Sequence, residues 1–329
     1  MMIRRINLES QSTGKITFFS ANLLYMAVMV LFVTVGYLVQ SWDFNYGILI
    51  TEFVLIALPT VIYVKTRGAS LKRELRFNSL SLVDALLVAV AFVAAYFVAV
   101  FINLLGEIIL SMFGNLIIQD IPFAKNPGEY LLLLFVIAGS AGICEEILFG
   151  GFILRAYEKL GMWPDILVTA VLFSILHLNI QNILAPLFLG IILGFAVYKT
   201  NSIYAGTIGH FINNAISVTW GYVIMSLPFY QNVDIQRVQD GMTTQSLIGA
   251  VLIFALVLPF AGSILFICLK VINDRHPEAA SYRTDTGIFS TAGRLKLSWP
   301  LLISLIIFIV MMTLEIILIV SGKPLFNLG

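Results

Sequence analysis

Five polar side chains with acid, base or hydrogen-bonding chemistry stand in stretches that are otherwise apolar: Glu145, Glu146, His177, His210 and Asn214. An ionisable side chain at the centre of a bilayer costs about 2.5–3.5 kcal/mol on insertion scales, so such a residue usually faces a cavity or a partner. His210 and Asn214 are four residues apart, which places them on one face of a helix. We therefore expect the five side chains to share one polar pocket inside the membrane.

Such a pocket has the groups needed to hydrolyse an amide without a serine nucleophile. A carboxylate in apolar surroundings is a stronger base than one in water, so it can take a proton from water and later give it to the leaving amine. A histidine beside it can share that water, while a second histidine and an asparagine amide can donate hydrogen bonds to the developing oxyanion. The residue types therefore favour hydrolysis by a glutamate-activated water.

A metal site is an alternative use of the same residues. Glu145, His177 and His210 can hold one divalent ion such as zinc and leave its fourth position for water, and the sequence does not separate this alternative from the metal-free mechanism. Cys144 directly precedes the glutamates, and a thiolate paired with a histidine can serve as a nucleophile. Because nothing marks an activated thiolate there, we predict that Cys144 is a small buried packing residue.

Three further glutamates, Glu52, Glu107 and Glu315, also lie in apolar stretches, but no motif surrounds any of them. A protonated or snorkelling carboxyl, or a hydrogen bond between helices, explains an isolated acid of this kind. We therefore assign these three residues no chemistry.

The composition is that of a membrane protein, since 60% of the 329 residues are hydrophobic and 11% are charged, whereas about 25% are charged in a soluble domain. A helix needs roughly 20 apolar residues to cross a bilayer, and backbone groups in lipid must be bonded within the segment. We therefore predict an all-α, polytopic transmembrane helical bundle with about nine spans. The spans are expected near residues 18–40, 46–64, 84–112, 130–155, 163–179, 183–199, 202–226, 246–273 and 299–321.

The charges of the connecting loops predict the orientation, because lysine and arginine accumulate in cytoplasmic loops. The basic set, at the amino terminus and after spans two, four, six and eight, contains Arg4, Arg5, Lys15, Lys65, Arg67, Lys72, Arg73, Arg76, Arg155, Lys159, Lys199, Lys270, Arg275, Arg283, Arg294 and Lys296. The intervening loops carry Asp43, Asp120, Lys125, Glu129, Asp234, Arg237 and Asp240. This alternation predicts a cytoplasmic amino terminus and a carboxyl terminus outside.

Several classes of partner are not expected. The net charge of +1 gives no reason to expect nucleic acid, and the sequence has no glycine-rich phosphate loop for a nucleotide. Both cysteines fall inside predicted spans, so no disulfide framework is expected. Membrane lipids and a peptide or membrane-protein substrate remain as the expected partners of an integral, multi-pass membrane protein.

Unusual polar residues are densest between residues 144 and 214, which predicts a catalytic core with supporting helices before and after it. Residues 130–226 form the predicted catalytic core of four helices. Residues 1–129 contribute a cytoplasmic segment and three supporting helices. Residues 227–329 contribute two helices joined by a cytoplasmic loop.

Three motifs in this core resemble those of the CPBP family, the CAAX prenyl protease and bacteriocin-processing intramembrane proteases, also called the Abi family. The family patterns E-E-x-x-x-R, F-x-x-x-H and H-x-x-x-N appear in order. They stand here as E-E-I-L-F-G at 145–150, F-S-I-L-H at 173–177 and H-F-I-N-N at 210–214. The resemblance covers about residues 130–220.

The resemblance implies a role for each residue of the pocket. It assigns the activation of water to Glu145 with His177, the stabilisation of the oxyanion to His210 with Asn214, and an essential second acid to Glu146. It implies an intramembrane protease of a bacterial cell membrane that cleaves prenylated carboxyl-terminal peptides, or that processes bacteriocins or confers immunity to them. It leaves the use of a metal open.

One position departs from the family pattern, because Gly150 stands where the family has an arginine. In a helix that arginine would lie over Glu146, whereas Arg155 is expected on the opposite face. The loss of the arginine motivates an alternative function, a catalytically silent scaffold or regulator of a membrane partner. A proton-coupled transporter is a third alternative, since acids and histidines near the bilayer midplane also form proton relays.

Overall fold

The computed structural model describes residues 16–117, 122–227, 243–277 and 298–322. Within these ranges the chain is helical. We number ten helices: α1 Phe18–Trp42, α2 Phe44–Thr66, α3 Leu71–Glu74, α4 Leu82–Ser111, α5 Pro127–Leu160, α6 Met162–Leu176, α7 Leu184–Thr200, α8 Ile203–Ser226, α9 Thr244–Arg275 and α10 Trp299–Ser321. Some loop charges used above lie outside the described residues, namely Arg4, Arg5, Lys15, Asp120, Asp234, Arg237, Asp240, Arg283, Arg294 and Lys296.

The predicted all-helical membrane bundle is confirmed, but the predicted count of nine spans is not. By length and composition, 6 described helices can cross a membrane, namely α1, α2, α4, α5, α9 and α10. The apolar helices α6 and α7 have only 15 and 17 residues. At a rise of 1.5 Å per residue they extend ~22 Å and ~26 Å, less than the ~30 Å hydrocarbon core.

Residues with well-known capping preferences set the boundaries of several helices. Asp43 separates α1 from α2 and accepts a hydrogen bond from Tyr46 N–H at 2.9 Å, as expected of an N-cap aspartate. Pro127 occupies the first turn of α5, where a missing N–H costs nothing. Between α5 and α6 the chain turns at Gly161, whose φ of 90° suits glycine.

Helix α5 lies at the centre of the bundle. In its most apolar 18-residue stretch 56% of the residues are buried, against 17% in α9 and in α10. It packs against α8 and against the part of α2 around residues 50–57. Helix α4 packs along α9, α8 and α7, and α10 packs along α1. The segment that carries Glu145 and Glu146 is therefore enclosed by other helices.

A network of ion pairs joins loops at one end of the bundle. Arg155 at the end of α5 contacts Glu74 at 3.2 Å and Glu158 at 2.7 Å. The buried Arg76 reaches the same Glu158 at 3.4 Å and donates to Asn201 Oδ1, after α7, at 3.0 Å. The ends of α5 and α7 and the loop after α2 therefore meet at one end of the molecule.

Two further contacts bring other chain segments to that end. Arg275, the last residue of α9, contacts Asp84 at the start of α4 at 2.8 Å. Asn22 near the start of α1 donates to Ser298 Oγ at 2.9 Å and accepts from the hydroxyl of Tyr157. The described parts of the basic loops thus share one end of the bundle, as the alternation of charge requires.

We expect Arg155→Met to lower the free energy of unfolding by about 1–3 kcal/mol, because it removes a charged partner from the buried Glu74 carboxylate. Thermal unfolding of the purified protein in detergent measures the effect. Lys159→Met is the matched control, since Lys159 is exposed on the same helix end. Equal stability of the two variants would show that the network contributes nothing.

Candidate active site

Helices α5 and α8 bring both glutamates of the first motif to one histidine. His210 Nδ1 lies 3.3 Å from Glu146 Oε1, and His210 Nε2 lies 4.0 Å from Glu145 Oε2. Glu146 is 2% exposed and His210 is 5% exposed. The contact with Glu146 orients the imidazole, so Nε2 is the nitrogen that faces Glu145.

Two glycines make room for the carboxylate of Glu146. A Cβ atom at either Gly150 or Gly206 would collide with Glu146 Oε2. Gly150 is part of a π-helical segment of α5, Ile147–Ile153, and Gly206 lies on α8. An arginine at position 150 would therefore displace the glutamate that it neutralises in the family pattern. In this chain the side chain that contacts the Glu146 carboxyl is that of His210.

Arg155 does not replace the missing arginine, as the sequence predicts. Its guanidinium contacts Glu74 and Glu158 at the end of the bundle. One oxygen of Glu146, Oε2, has no hydrogen-bond partner among the residues that the structure describes. The space between Gly150 and Gly206 thus holds a buried carboxylate oxygen that protein groups leave unbonded.

His177 directly follows α6, and its ring is held in one tautomer. Its Nδ1 donates to the carbonyl oxygen of Phe173 at 2.9 Å, because a carbonyl can only accept. In the neutral ring Nε2 then carries the lone pair and can accept a proton. The Phe173 ring lies 4.9 Å from the His177 ring and 5.6 Å from the His210 ring, between centroids. Phe173 therefore sets the spacing of the two histidines.

The loop between α6 and α7 begins at His177 and is hydrogen-bonded to a neighbouring helix. Since α6 is too short to cross the hydrocarbon core, its loop needs protein groups to satisfy its backbone. Glu315 of α10 accepts from Ile180 N–H at 2.6 Å and from Gln181 Nε2 at 3.2 Å. Ser174 Oγ donates to the Ile183 carbonyl at 2.6 Å. These bonds hold the chain that follows His177.

Asn214 is placed one helical turn beyond His210, as predicted, but it is bonded to other groups. Its Nδ2 donates to the carbonyl of Ile137 on α5 at 3.3 Å, and its Oδ1 accepts from Asn213 Nδ2 at 3.0 Å. An amide nitrogen has two hydrogens, so one of them is engaged with α5. The structure thus gathers Glu145, Glu146 and His210 directly, whereas His177 is linked to His210 through Phe173.

Two of the three isolated glutamates make hydrogen bonds of the kind expected for isolated acids, and the third lies beside another acid. Glu107 accepts from Asn103 Nδ2 at 2.8 Å on its own helix, and Glu315 binds the loop after His177. The carboxyl of Glu52 lies next to that of Glu145, and Oε2 of each has no hydrogen-bond partner among the described residues. Sequence reasoning missed this contact, because position 52 has no motif and belongs to a different helix. A buried acid in the middle of α2 was the only available signal.

The remaining candidates from the sequence are a thiol nucleophile and a metal site. Cys144 is fully buried and forms no disulfide, in agreement with a packing role. Among the described residues, no three or more His, Cys, Asp or Glu side chains are grouped so that they could hold a metal ion. The set Glu145, His177 and His210 therefore does not fit a zinc ion in this arrangement, and we derive no step through a metal.

Comparison with known proteins gives one match. Residues 127–216 match the family model described as type II CAAX prenyl endopeptidase Rce1-like. The resemblance to the CPBP family drawn from the three motifs is confirmed by this match, which contains all five predicted site residues. No curated protein and no solved structure matches the chain.

We expect Gly206→Ala to destabilise the protein by about 1–3 kcal/mol, because the added methyl group overpacks the site of the Glu146 carboxylate. Gly262→Ala is the matched control, since a Cβ there meets nothing within 4 Å. That control should be neutral or more stable by up to about 1 kcal/mol, the helical cost of glycine. Melting curves in one detergent compare the two variants, and equal behaviour would contradict the close packing.

Proposed function

We propose that this chain, whose residues 127–216 match the Rce1-like endopeptidases, is an intramembrane protease that hydrolyses a peptide bond of a membrane-associated peptide or protein. The observation that carries the proposal is the buried contact of His210 with both Glu145 and Glu146. Paired acids and a histidine enclosed by helices are costly in a membrane and are typical of a functional site.

Glu145 is the general base of the proposed reaction. It takes one proton from a water molecule while the oxygen of that water attacks the carbonyl carbon of the peptide bond. His177 shares this water through Nε2, the nitrogen that its bond to Phe173 leaves as an acceptor. The attack produces a tetrahedral intermediate with a negative charge on the former carbonyl oxygen.

His210 and Asn214 stabilise that oxyanion with hydrogen bonds. Donors aimed in advance at a developing charge in a water-poor site supply a large part of catalysis in acyl transfer. Glu146 supports this step by holding His210 Nδ1, which leaves Nε2 to face the reacting group. Glu145 then gives its proton to the amine nitrogen, the C–N bond breaks, and a carboxylic acid and an amine leave.

The proposed substrate is a peptide presented at the cytoplasmic face or from within the bilayer. The family match favours CAAX-type cleavage of a prenylated carboxyl-terminal peptide, and processing of a bacteriocin or self-immunity is the other activity that the motifs imply. In both cases the lipid bilayer is the medium of the reaction. We propose that residues 130–226 form the catalytic core and that residues 1–129 and 227–329 support it.

We propose that the protein lies in a bacterial cell membrane, its amino terminus in the cytoplasm and its carboxyl terminus outside, and that α6 and α7, two of the nine predicted spans, do not cross the membrane singly. The positive-inside rule supports this orientation, because the described basic loops share one end of the bundle. The short helices α6 and α7 enter from that end as a pair. Helix α7 ends at the same end of the bundle at which α6 begins, so the pair does not change the orientation of the helices that follow.

We expect Glu145→Gln to lower the rate of cleavage of membrane-tethered peptides by at least about 100-fold, the usual contribution of a general base. His177→Ala should cause a comparable loss. Purified protein in proteoliposomes, assayed against a library of prenylated and unprenylated peptides, provides the measurement. Glu129→Gln is the matched control, since Glu129 is exposed on the same helix, and it should keep the full rate.

Cleavage that survives Glu145→Gln would overturn the proposed mechanism. A deletion strain tests the alternative of a catalytically silent scaffold, which Gly150 motivates. Complementation by the Glu145→Gln protein at normal expression would favour the scaffold, and loss of complementation would favour the protease.

For the orientation, we expect a membrane-impermeant thiol reagent to label Lys125→Cys in intact cells. Lys72→Cys and Lys159→Cys should be labelled only after the cells are permeabilised, because all three positions are exposed but the last two lie at the basic end. The background protein carries Cys144→Ala and Cys268→Ala. The reverse labelling pattern would overturn the orientation.

A further inference from the structure

Glu52 lies outside the residues that the family model matches, yet it reaches the predicted site. It belongs to a π-helical segment of α2, Ile50–Ala57, and this segment packs against Ser140–Glu146 of α5. Glu52 is only 6% exposed. Short π-helical segments often occur at functional sites because they redirect side chains. Glu52 therefore lies on the buried face of α2 that packs against α5.

The carboxyl of Glu52 lies next to the carboxyl of Glu145. Neither Glu52 Oε2 nor Glu145 Oε2 has a hydrogen-bond partner within the described ranges. An ionised carboxylate can only accept hydrogen bonds, so a bond between two carboxyls requires a proton on one of them. Two neighbouring ionised carboxylates in a medium of low dielectric constant would also repel each other strongly. The pair therefore holds at least one proton.

We infer that Glu52 is a positioning residue for the general base Glu145, an inference that rests on the proposed function. The base must be ionised to take a proton from water, so the proton of the pair resides on Glu52. Glu52 then donates its hydrogen to the Glu145 carboxylate and fixes the direction of the oxygen that faces the water. It neither contacts the peptide nor exchanges its own proton during the reaction.

The alternative is that Glu52 only fills space between α2 and α5, and two substitutions separate these roles. In Glu52→Gln the amide keeps the size of the side chain and can still donate a hydrogen bond to Glu145. In Glu52→Met the size is similar but the donor is lost. A role in packing alone predicts the same activity for both variants, whereas a positioning role predicts that only glutamine rescues it.

We expect Glu52→Met to lower kcat roughly 100-fold, as a misplaced catalytic group does, while KM changes less than about 3-fold. Glu52→Gln should keep kcat within about 5-fold of the unsubstituted protein, because the donor remains. Thr60→Val is the matched control, since Thr60 is fully buried on the same helix and its hydroxyl bonds the Ile56 carbonyl. That control should leave both parameters unchanged.

Equal kcat values for Glu52→Met and Glu52→Gln, whether high or low, would overturn the inference. If Glu52→Met does not fold, infrared spectroscopy provides the second measurement. The difference spectrum between the unsubstituted protein and Glu52→Gln should show the loss of one protonated-carboxyl C=O band, and a difference spectrum without that loss would also overturn the inference. Failure of the proposed function is distinct, because Glu145→Gln would then retain cleavage. If Glu145→Gln loses cleavage but Glu52→Met keeps the full kcat, the role of Glu52 is refuted and the proposed function stands.

Discussion

A polar group inside the hydrocarbon core has no water to bond with, and this constraint shapes both the site and its support. The buried carboxylates of the candidate site meet another carboxyl or a histidine, and the loop after His177 is hydrogen-bonded to Glu315. Each of these bonds requires a polar residue in an otherwise apolar helix, which makes insertion of that helix into the membrane less favourable. In return, the groups are held in fixed directions, because alternative partners are scarce in their surroundings.

Helices of unequal length place the acids and the first histidine at a common depth. The long helices α2 and α5 run past the site and present Glu52 and Glu145 from their middle turns. The short helix α6 ends at His177, where a helix of ordinary length would continue across the membrane. A histidine at the end of a helix can turn its ring toward the site, while the backbone carbonyl of the last turn fixes its tautomer.

Periodicity and charge predict most of the architecture, because a helix in lipid must satisfy its own backbone bonds. The predicted stretches fall on helices, and the main difference is that α6 and α7, which the hydropathy predicts to be spans, are too short to cross the hydrocarbon core. The contact of Glu146 with His210 is consistent with the shared pocket that the motifs predict. The partnership of Glu52 and Glu145 could not be predicted, because it depends on how α2 and α5 face each other and no local pattern records that. The π-helical segments also break the regular 100° periodicity on which helix-face arguments depend.

The glycines around Glu146 have a consequence for how this site can vary. Gly150 and Gly206 lie on different helices but border the same carboxylate oxygen, so their side chains cannot be chosen independently. An arginine at position 150 requires the Glu146 side chain to rotate away, and that rotation would empty the space that makes glycine necessary at position 206. The two positions are therefore sterically coupled, and a change from histidine pairing to arginine pairing of the second acid would also remove the requirement for glycine on the other helix.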